Sequence, residues 1–195
     1  MSVEKPQVII IAGPNGAGKT TLAPFLLRDT LDVPEYINAD PIALGLSGFD
    51  PSSVALAAGR IMLNRLHELA SQEKSFAFES TLAARSYAGW IEELRSEGYG
   101  FQLMFLWLQS PELAVQRVRG RVRSGGHDVP EDVVRRRYEA GLKNFWTLYK
   151  PLADAWSVYD NSASTDPVSM ASGERNRGIT ILEQNAWEKF SMTKP

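Results

Sequence analysis

The sequence predicts an α/β fold of three layers: a parallel sheet covered by helices on both faces. Three observations predict it. Apolar stretches of strand length alternate along the chain with stretches of helical period. Gln7–Ala12 is continuous, β-branched and closed by glycine, the pattern of a strand buried on both faces. Residues 101–108 form a second such run. Alternation of this kind implies parallel strands, because each right-handed crossover returns the chain through a helix.

Taken in order, the first strand is followed by a helix over residues 18–28, which Pro24 should kink or shorten. Residues 36–38 suit a short second strand. Asp50-Pro51 reads as a helix N-cap followed by proline at N1, opening a helix to about Ala70. Its expected buried stripe is Val54, Ala58, Ile61, Met62, Leu66 and Leu69. Residues 75–79 predict a third strand. Next comes a helix burying Trp90, Ile91 and Leu94 and closed by Gly98. Pro111 opens a helix through Leu113, Val115 and Val118, which Gly125-Gly126 breaks. Pro130 starts another over residues 131–149. Residues 156–159 predict the last core strand, and residues 178–190 add a short strand and helix. Trp107, Trp146 and Trp156 are expected in the core. No repeat or low-complexity linker divides the chain, so residues 1–195 are expected to form one domain.

Composition limits the function. Hydrophobic residues at 44% and charged residues at 23% are ordinary for a globular chain, which argues against disorder. A net charge of −2 gives no general basic field, so neither nucleic acid nor an anionic membrane is an expected partner. The absence of cysteine removes disulfides, thiolate metal sites and Cys nucleophiles. The acidic N-terminus does not read as a signal peptide, and no apolar run approaches the roughly 20 residues of a membrane helix. A cytoplasmic protein is expected.

Gly13-Pro14-Asn15-Gly16-Ala17-Gly18-Lys19-Thr20 fits G-x-x-x-x-G-K-[ST] at every fixed position. The glycines let the backbone curl so that successive N–H groups point inward at phosphate oxygens. The helix behind Gly18 adds its positive dipole end. Lys19 reaches the β- and γ-phosphates of ATP, Thr20 places its hydroxyl on Mg²⁺, and Thr21 assists at the α-phosphate. Asn15, Gly16 and Ala17 complete the expected nucleotide cradle. The motif follows a buried strand and opens a helix, which is the context it needs.

Other residues narrow the class. No Asn-Lys-x-Asp stretch marks a GTPase. The strand over 101–108 runs into Gln109-Ser110, with no carboxylate of the kind that motor and transport ATPases place there. Asp40 follows the second strand, where an open α/β sheet forms its ligand cleft, and could accept the proton of an attacking hydroxyl. The alternative role is a helix cap beside Pro41. Glu79 ends the third strand; with Ser80 and Thr81 it could hold Mg²⁺-bound water or a substrate hydroxyl. Arg117, Arg119, Arg121 and Arg123 precede the glycine pair, and Arg135, Arg136 and Arg137 follow it. An arginine-bearing lid over about residues 117–137 would bring positive charge to the γ-phosphate and expel water. Arg121 and Arg137 are assigned that task, from spacing similar to adenylate-kinase-like enzymes, and Arg117 the adenine side. The other arginines are expected to form surface ion pairs with Glu131 and Asp132. His67 and His127 lack metal-ligand spacing. Residues 159–162 could line the adenine pocket.

The phosphate loop, Asn38-Ala39-Asp40, Phe78-Glu79-Ser80-Thr81-Leu82, His127-Asp128-Val129-Pro130 with Arg136-Arg137-Tyr138, and Tyr159-Asp160-Asn161-Ser162 occur in this order over about residues 7–162. This ordered set resembles the zeta-toxin family of P-loop kinases, in particular its free-standing short branch. The resemblance implies a P-loop NTPase fold like that of nucleoside and adenylate kinases, with a helical lid. It implies ATP at Lys19 and Thr20, a base at Asp40 and lid arginines on the γ-phosphate. It also implies a hydroxyl acceptor such as UDP-N-acetylglucosamine, which characterised members phosphorylate. An antitoxin protein is a partner known in the family, though no residue here indicates one. The expected activity is a small-molecule kinase. The alternatives are an ATP-dependent switch acting on a protein partner and a catalytically silent binding module.

Overall fold

The computed structural model describes residues 5–27, 33, 35–126, 128–163 and 166–195; the expected helix end at Arg28 and His127 lie outside the described residues. Seven strands form one sheet: β1 (Gln7–Ala12), β2 (Tyr36–Ile37), β3 (Phe76–Ser80), β4 (Gly100–Trp107), β5 (Ala155–Asp160), β6 (Val168–Glu174) and β7 (Gly178–Ile181). Their order is β2-β3-β1-β4-β5-β6-β7. The first five run parallel. Residues 8–12 of β1 are fully buried, which requires cover on both faces, as its unbroken apolar sequence predicts. β1 and β4 are neighbours whose outgoing connections run in opposite directions. This is the switch point at which ligands of open α/β sheets bind.

The five-stranded core is parallel as expected, and two further strands make the whole sheet mixed. β6 pairs antiparallel with β5, and β7 antiparallel with β6. Only residues 161–167 separate β5 from β6, too few for the dozen or more a parallel crossover needs. β5 is therefore not the last core strand, since Met170 and Ala171 of β6 are fully buried.

The helices are α1 (Lys19–Leu26), α2 (Ala39–Leu46), α3 (Ala55–Ser71), α4 (Ser86–Ser96), α5 (Pro111–Arg123), α6 (Glu131–Asn144), a short α7 (Lys150–Leu152) and α8 (Gln184–Ser191). Asp50 caps as expected, accepting the Ser53 N–H, but the turn it opens at Pro51–Val54 is 3-10 and α3 starts after it. α3 buries Ala58, Met62, Leu66 and Leu69, while Ile61 is 43% exposed, one step off the stripe. Ser110 caps α5 by accepting the Leu113 N–H. The helix expected over 131–149 changes winding after Asn144, and Phe145–Tyr149 form a π turn. That turn directs Phe145 and Tyr149 into the core, where Phe145 packs on Phe105 at 4.6 Å between ring centroids. α8 adds Phe190, fully buried against Phe105, Phe145 and Trp107. Trp107 and Trp156 are core residues; Trp146 is half-buried, with Lys150 over its ring and that of Trp156. His67 packs against Trp90.

α6 also grips the loop after β3. Asn144 donates to the carbonyls of Leu82 and Ala83, and Tyr149 donates to that of Ala84. Gly141 lies so close that a Cβ there would meet the Thr81 carbonyl oxygen at 2.3 Å, a contact only backbone movement could relieve. Gly141→Ala is expected to destabilise the fold by about 2 kcal/mol through overpacking, although alanine is the better helix former. Gly59 in α3 meets nothing within 4 Å, and Gly59→Ala should instead stabilise by about 0.5–1 kcal/mol. Urea titration of the pair checks both signs.

Candidate functional site

The loop between β1 and α1 curls through positive φ at Gly13, Gly16 and Gly18. Gly13 is the most constrained: a Cβ there would stand 2.3 Å from the Leu106 carbonyl oxygen of β4. No side chain caps α1. The Thr21 N–H donates to the Gly18 carbonyl, and the N–H groups of Lys19 and Thr20 stand at the positive end of the helix, which favours an anion.

The Lys19 ammonium is folded back into the loop, donating to the Gly13 and Pro14 carbonyls at 3.0 Å each. Burial pushes its pKa below the ordinary lysine value. The carboxylates of Glu79 and Asp40 oppose that shift, and the charges of Arg121 and Arg137 add to it. All four of those side chains therefore act on the same buried cation, although they come from β3, α2, α5 and α6.

A chain of polar contacts joins Thr20 to Glu79. Asn38, buried at 8% exposure, donates through Nδ2 to the Thr20 hydroxyl at 3.2 Å and to the Tyr36 hydroxyl at 3.5 Å. Tyr36 in turn donates to Glu79. Burial, reinforced by the Glu79 charge, raises the Tyr36 pKa, so the phenol stays a donor. The second oxygen-bearing end of Asn38 accepts the Asp40 N–H at 2.9 Å and caps α2. Asn38, not Asp40, is thus the cap, and the Asp40 carboxylate is left facing the cleft. It is half-exposed and lies 3.8 Å from the Arg121 guanidinium.

The two helices of the expected lid are braced to each other. Arg119 of α5 pairs with Glu131 of α6 at 2.6 Å; Arg135 of α6 bridges back to Glu112 at 2.6 Å and to Glu131 at 2.8 Å. Gly126, in the glycine pair between them, has a packing role. A Cβ on Gly126 would meet Cγ of Arg121 at 2.5 Å, so the missing side chain makes room for that arginine's stem. Arg117 donates to the carbonyls of Ser162 and Ala163, and Asn161 donates to the Ala17 carbonyl at 2.8 Å. These bonds fix residues 161–163 beside the phosphate loop.

Two cavities meet here. The smaller, about 200 Å³, is lined by Asn15, Gly16, Gly18, Lys19, Thr20, Thr21, Asp40, Glu79, Arg117 and Arg121. The larger, about 540 Å³, is lined by Pro41, Leu44, Gly48, Phe49, Asp50, Pro51, Ser52, Gly125, Gly126 and Asp128 together with Thr20, Asp40 and Arg121. Thr20, Asp40 and Arg121 thus form a common wall. Arg137 lines neither cavity; half-buried on α6, it acts on the site through its charge near Lys19. Thr81 is not brought to either cavity: its carbonyl faces Gly141 and its hydroxyl accepts the Ala83 N–H. Sequence reasoning gave no site role to Tyr36 or Asn38, and read Gly126 only as part of the break between the lid helices. Only the Asn38-Ala39-Asp40 triplet hinted at one of them.

Asn38→Ala should cost about 1 kcal/mol of stability through the lost cap of α2, a loss that urea titration checks.

Residues 8–147 match a family model described as an AAA domain. The chain belongs to this family. An uncharacterized protein of Haemophilus influenzae is 31% identical to this AAA-domain chain over 136 residues, covering 70% of the chain and 95% of that protein. Among solved structures, the complex AvrRxo1-ORF1:-ORF2 with ATP superposes with a TM-score of 0.73 at 17% identity over 98% of this chain. The chain spans 64% of that protein's length. A structure from the PezAT chromosomal toxin–antitoxin system of Streptococcus pneumoniae gives a TM-score of 0.67 at 16% identity, over 99% of this chain and 86% of that one. The AAA-domain chain therefore has the P-loop kinase-like fold of zeta-toxin-like proteins. No helix among the described residues is long and apolar enough to cross a membrane.

Proposed function

We propose that this protein is a kinase that transfers the γ-phosphate of ATP to a hydroxyl of a small molecule. One observation carries the proposal: the phosphate-loop cavity and the larger cavity share the wall formed by Thr20, Asp40 and Arg121. A terminal phosphate in the first cavity and a hydroxyl in the second would meet at that wall. Positioning two reactants there removes much of the entropic barrier to their reaction.

The residues divide the work by chemistry. The loop amides and Lys19 hold the phosphates. Asp40 accepts the acceptor's proton as its oxygen attacks. Arg121, aided by the charge of Arg137, neutralises charge that spreads over the transferring group. The Thr20 hydroxyl and the Glu79 carboxylate are hard oxygen donors of the type magnesium prefers. When bound, the metal would supply charge neutralisation across the β- and γ-phosphates. The exposed rim of Asp40 suits reversible proton exchange with solvent.

The test uses ATP labelled at the γ-phosphate and an unfractionated bacterial metabolite extract. Label should pass into a new organic phosphate. Release only as inorganic phosphate, accelerated by an added protein partner, would instead support an ATP-driven switch.

A further inference from the structure

We infer that the acceptor is an alcohol with no anionic group, neutral or cationic, that carries a flat apolar ring. The inference deepens the phosphotransfer reading and rests on it. It follows from the walls of the 540 Å³ cavity.

One wall is apolar. Pro41, Leu44, Phe49 and Pro51 line it, and two of these expose far more surface than a folded chain ordinarily leaves to water: Leu44 at 57% and Phe49 at 108%. The Phe49 ring has no protein cover, yet it stands at the mouth of a cavity that opens onto the phosphate loop. A flat ring stacked on it would bury both faces. The remainder of the lining is acidic. Asp50 and Asp128 line it together with Asp40, and the single cation among the described lining residues is Arg121. The Asp50 carboxylate is held in place by the Ser52 hydroxyl and the Ser53 N–H, and these bonds keep it more acidic than an ordinary aspartate.

Charge then decides what enters. A phosphate or diphosphate on the acceptor would face three carboxylates. The one guanidinium available is shared with the phosphate cavity. Bound ATP adds further negative charge on the same side. Like charges set against each other are an effective means of rejecting the wrong ligand. An amine would pair with Asp50 or Asp128, and a neutral polyol would lose nothing there. The walls therefore disfavour a nucleotide sugar and favour a ring-bearing alcohol or amino alcohol whose hydroxyl reaches Asp40. The step balances simply: the acceptor oxygen bonds to the γ-phosphorus, the bond to the β-bridging oxygen breaks, ADP leaves, and the hydroxyl proton passes to Asp40.

The experiment separates the metabolite extract by ion exchange at neutral pH into anionic, neutral and cationic fractions. Each is incubated with the enzyme, magnesium and γ-labelled ATP. Labelled product is expected from the neutral or cationic fraction. Product from the anionic fraction alone overturns the inference but leaves phosphotransfer standing. No product from any fraction or from the whole extract defeats the phosphotransfer reading itself. With the acceptor isolated from the active fraction, Phe49→Ala should raise its KM about tenfold, and Asp128→Asn should do the same where the active fraction is the cationic one. The KM for ATP should stay within about twofold, because neither side chain lines the phosphate cavity. An unchanged acceptor KM in Phe49→Ala also overturns the assignment.

Discussion

Asp40→Asn is expected to lower kcat by about 10²–10⁴-fold, the range a positioned general base contributes. Affinity for Mg·ATP should change little. The separation between the two effects comes from how the carboxylate is held. Its backbone N–H is fixed by Asn38, so an amide side chain at this position keeps the turn and the start of α2. The carboxylate itself makes one loose ion pair, at 3.8 Å to Arg121 and exposed to solvent. Exposed pairs of that kind contribute at most about 1 kcal/mol, so stability should barely move. What asparagine cannot do is take a proton. Rapid-quench measurement of a single turnover checks the step directly. A variant that turns over at the parental rate would remove Asp40 from the chemistry and leave it only as part of the charge around Lys19.

The parts of this molecule that were legible in the sequence are those encoded locally. β1, the phosphate loop and α1 sit in one run of residues, where hydrophobic continuity, glycine and lysine fix strand, turn and helix without reference to the rest of the chain. β6 was invisible for the opposite reason. Its sequence, Val-Ser-Met-Ala-Ser-Gly-Glu, is mostly small and polar, and few of its side chains reach the core. Gly173 is there because Trp156 of β5 presses against it; a Cβ would lie 2.7 Å from the indole. That pairing reason exists only once both strands are in place. The site divides the same way. Lys19 and Thr20 follow from a motif, whereas the contacts among Tyr36, Asn38, Thr20 and Glu79 join three elements up to 43 residues apart and carry no sequence period. Thr81 was expected at the substrate because it follows Glu79. Yet the strand ends between them, and the chain turns sharply to Leu82, which is fully buried with φ of 57°. Alternation past a strand end does not predict which way a side chain points.

Lys19→Met should abolish stabilisation by Mg·ATP while the ligand-free protein unfolds no earlier than the parent. The first half follows from position: the ammonium is the cation buried within the phosphate cradle, and a thioether offers phosphate oxygens nothing. The second half follows from cost. A desolvated ammonium is an expense to the fold, as the direction of its pKa shift records, burial being the largest cause. Its two bonds to the Gly13 and Pro14 carbonyls return part of that expense. Each neutral-acceptor bond to a charged group contributes about 1.5–3 kcal/mol, against several kcal/mol to bury the ion. Methionine has a similar length, carries no charge and fills the same channel. Glu79 would lose a nearby cation but keep the Tyr36 hydroxyl. Asp40 would keep Arg121. The apo fold therefore has little reason to weaken, and a binding site strained for its ligand commonly gains stability when that strain is removed. Thermal unfolding with and without Mg·ATP reads both halves in one experiment. A large fall in the apo Tm would mean that Lys19 holds the loop together as well as the phosphate, and that the cradle is not shaped in advance of its ligand.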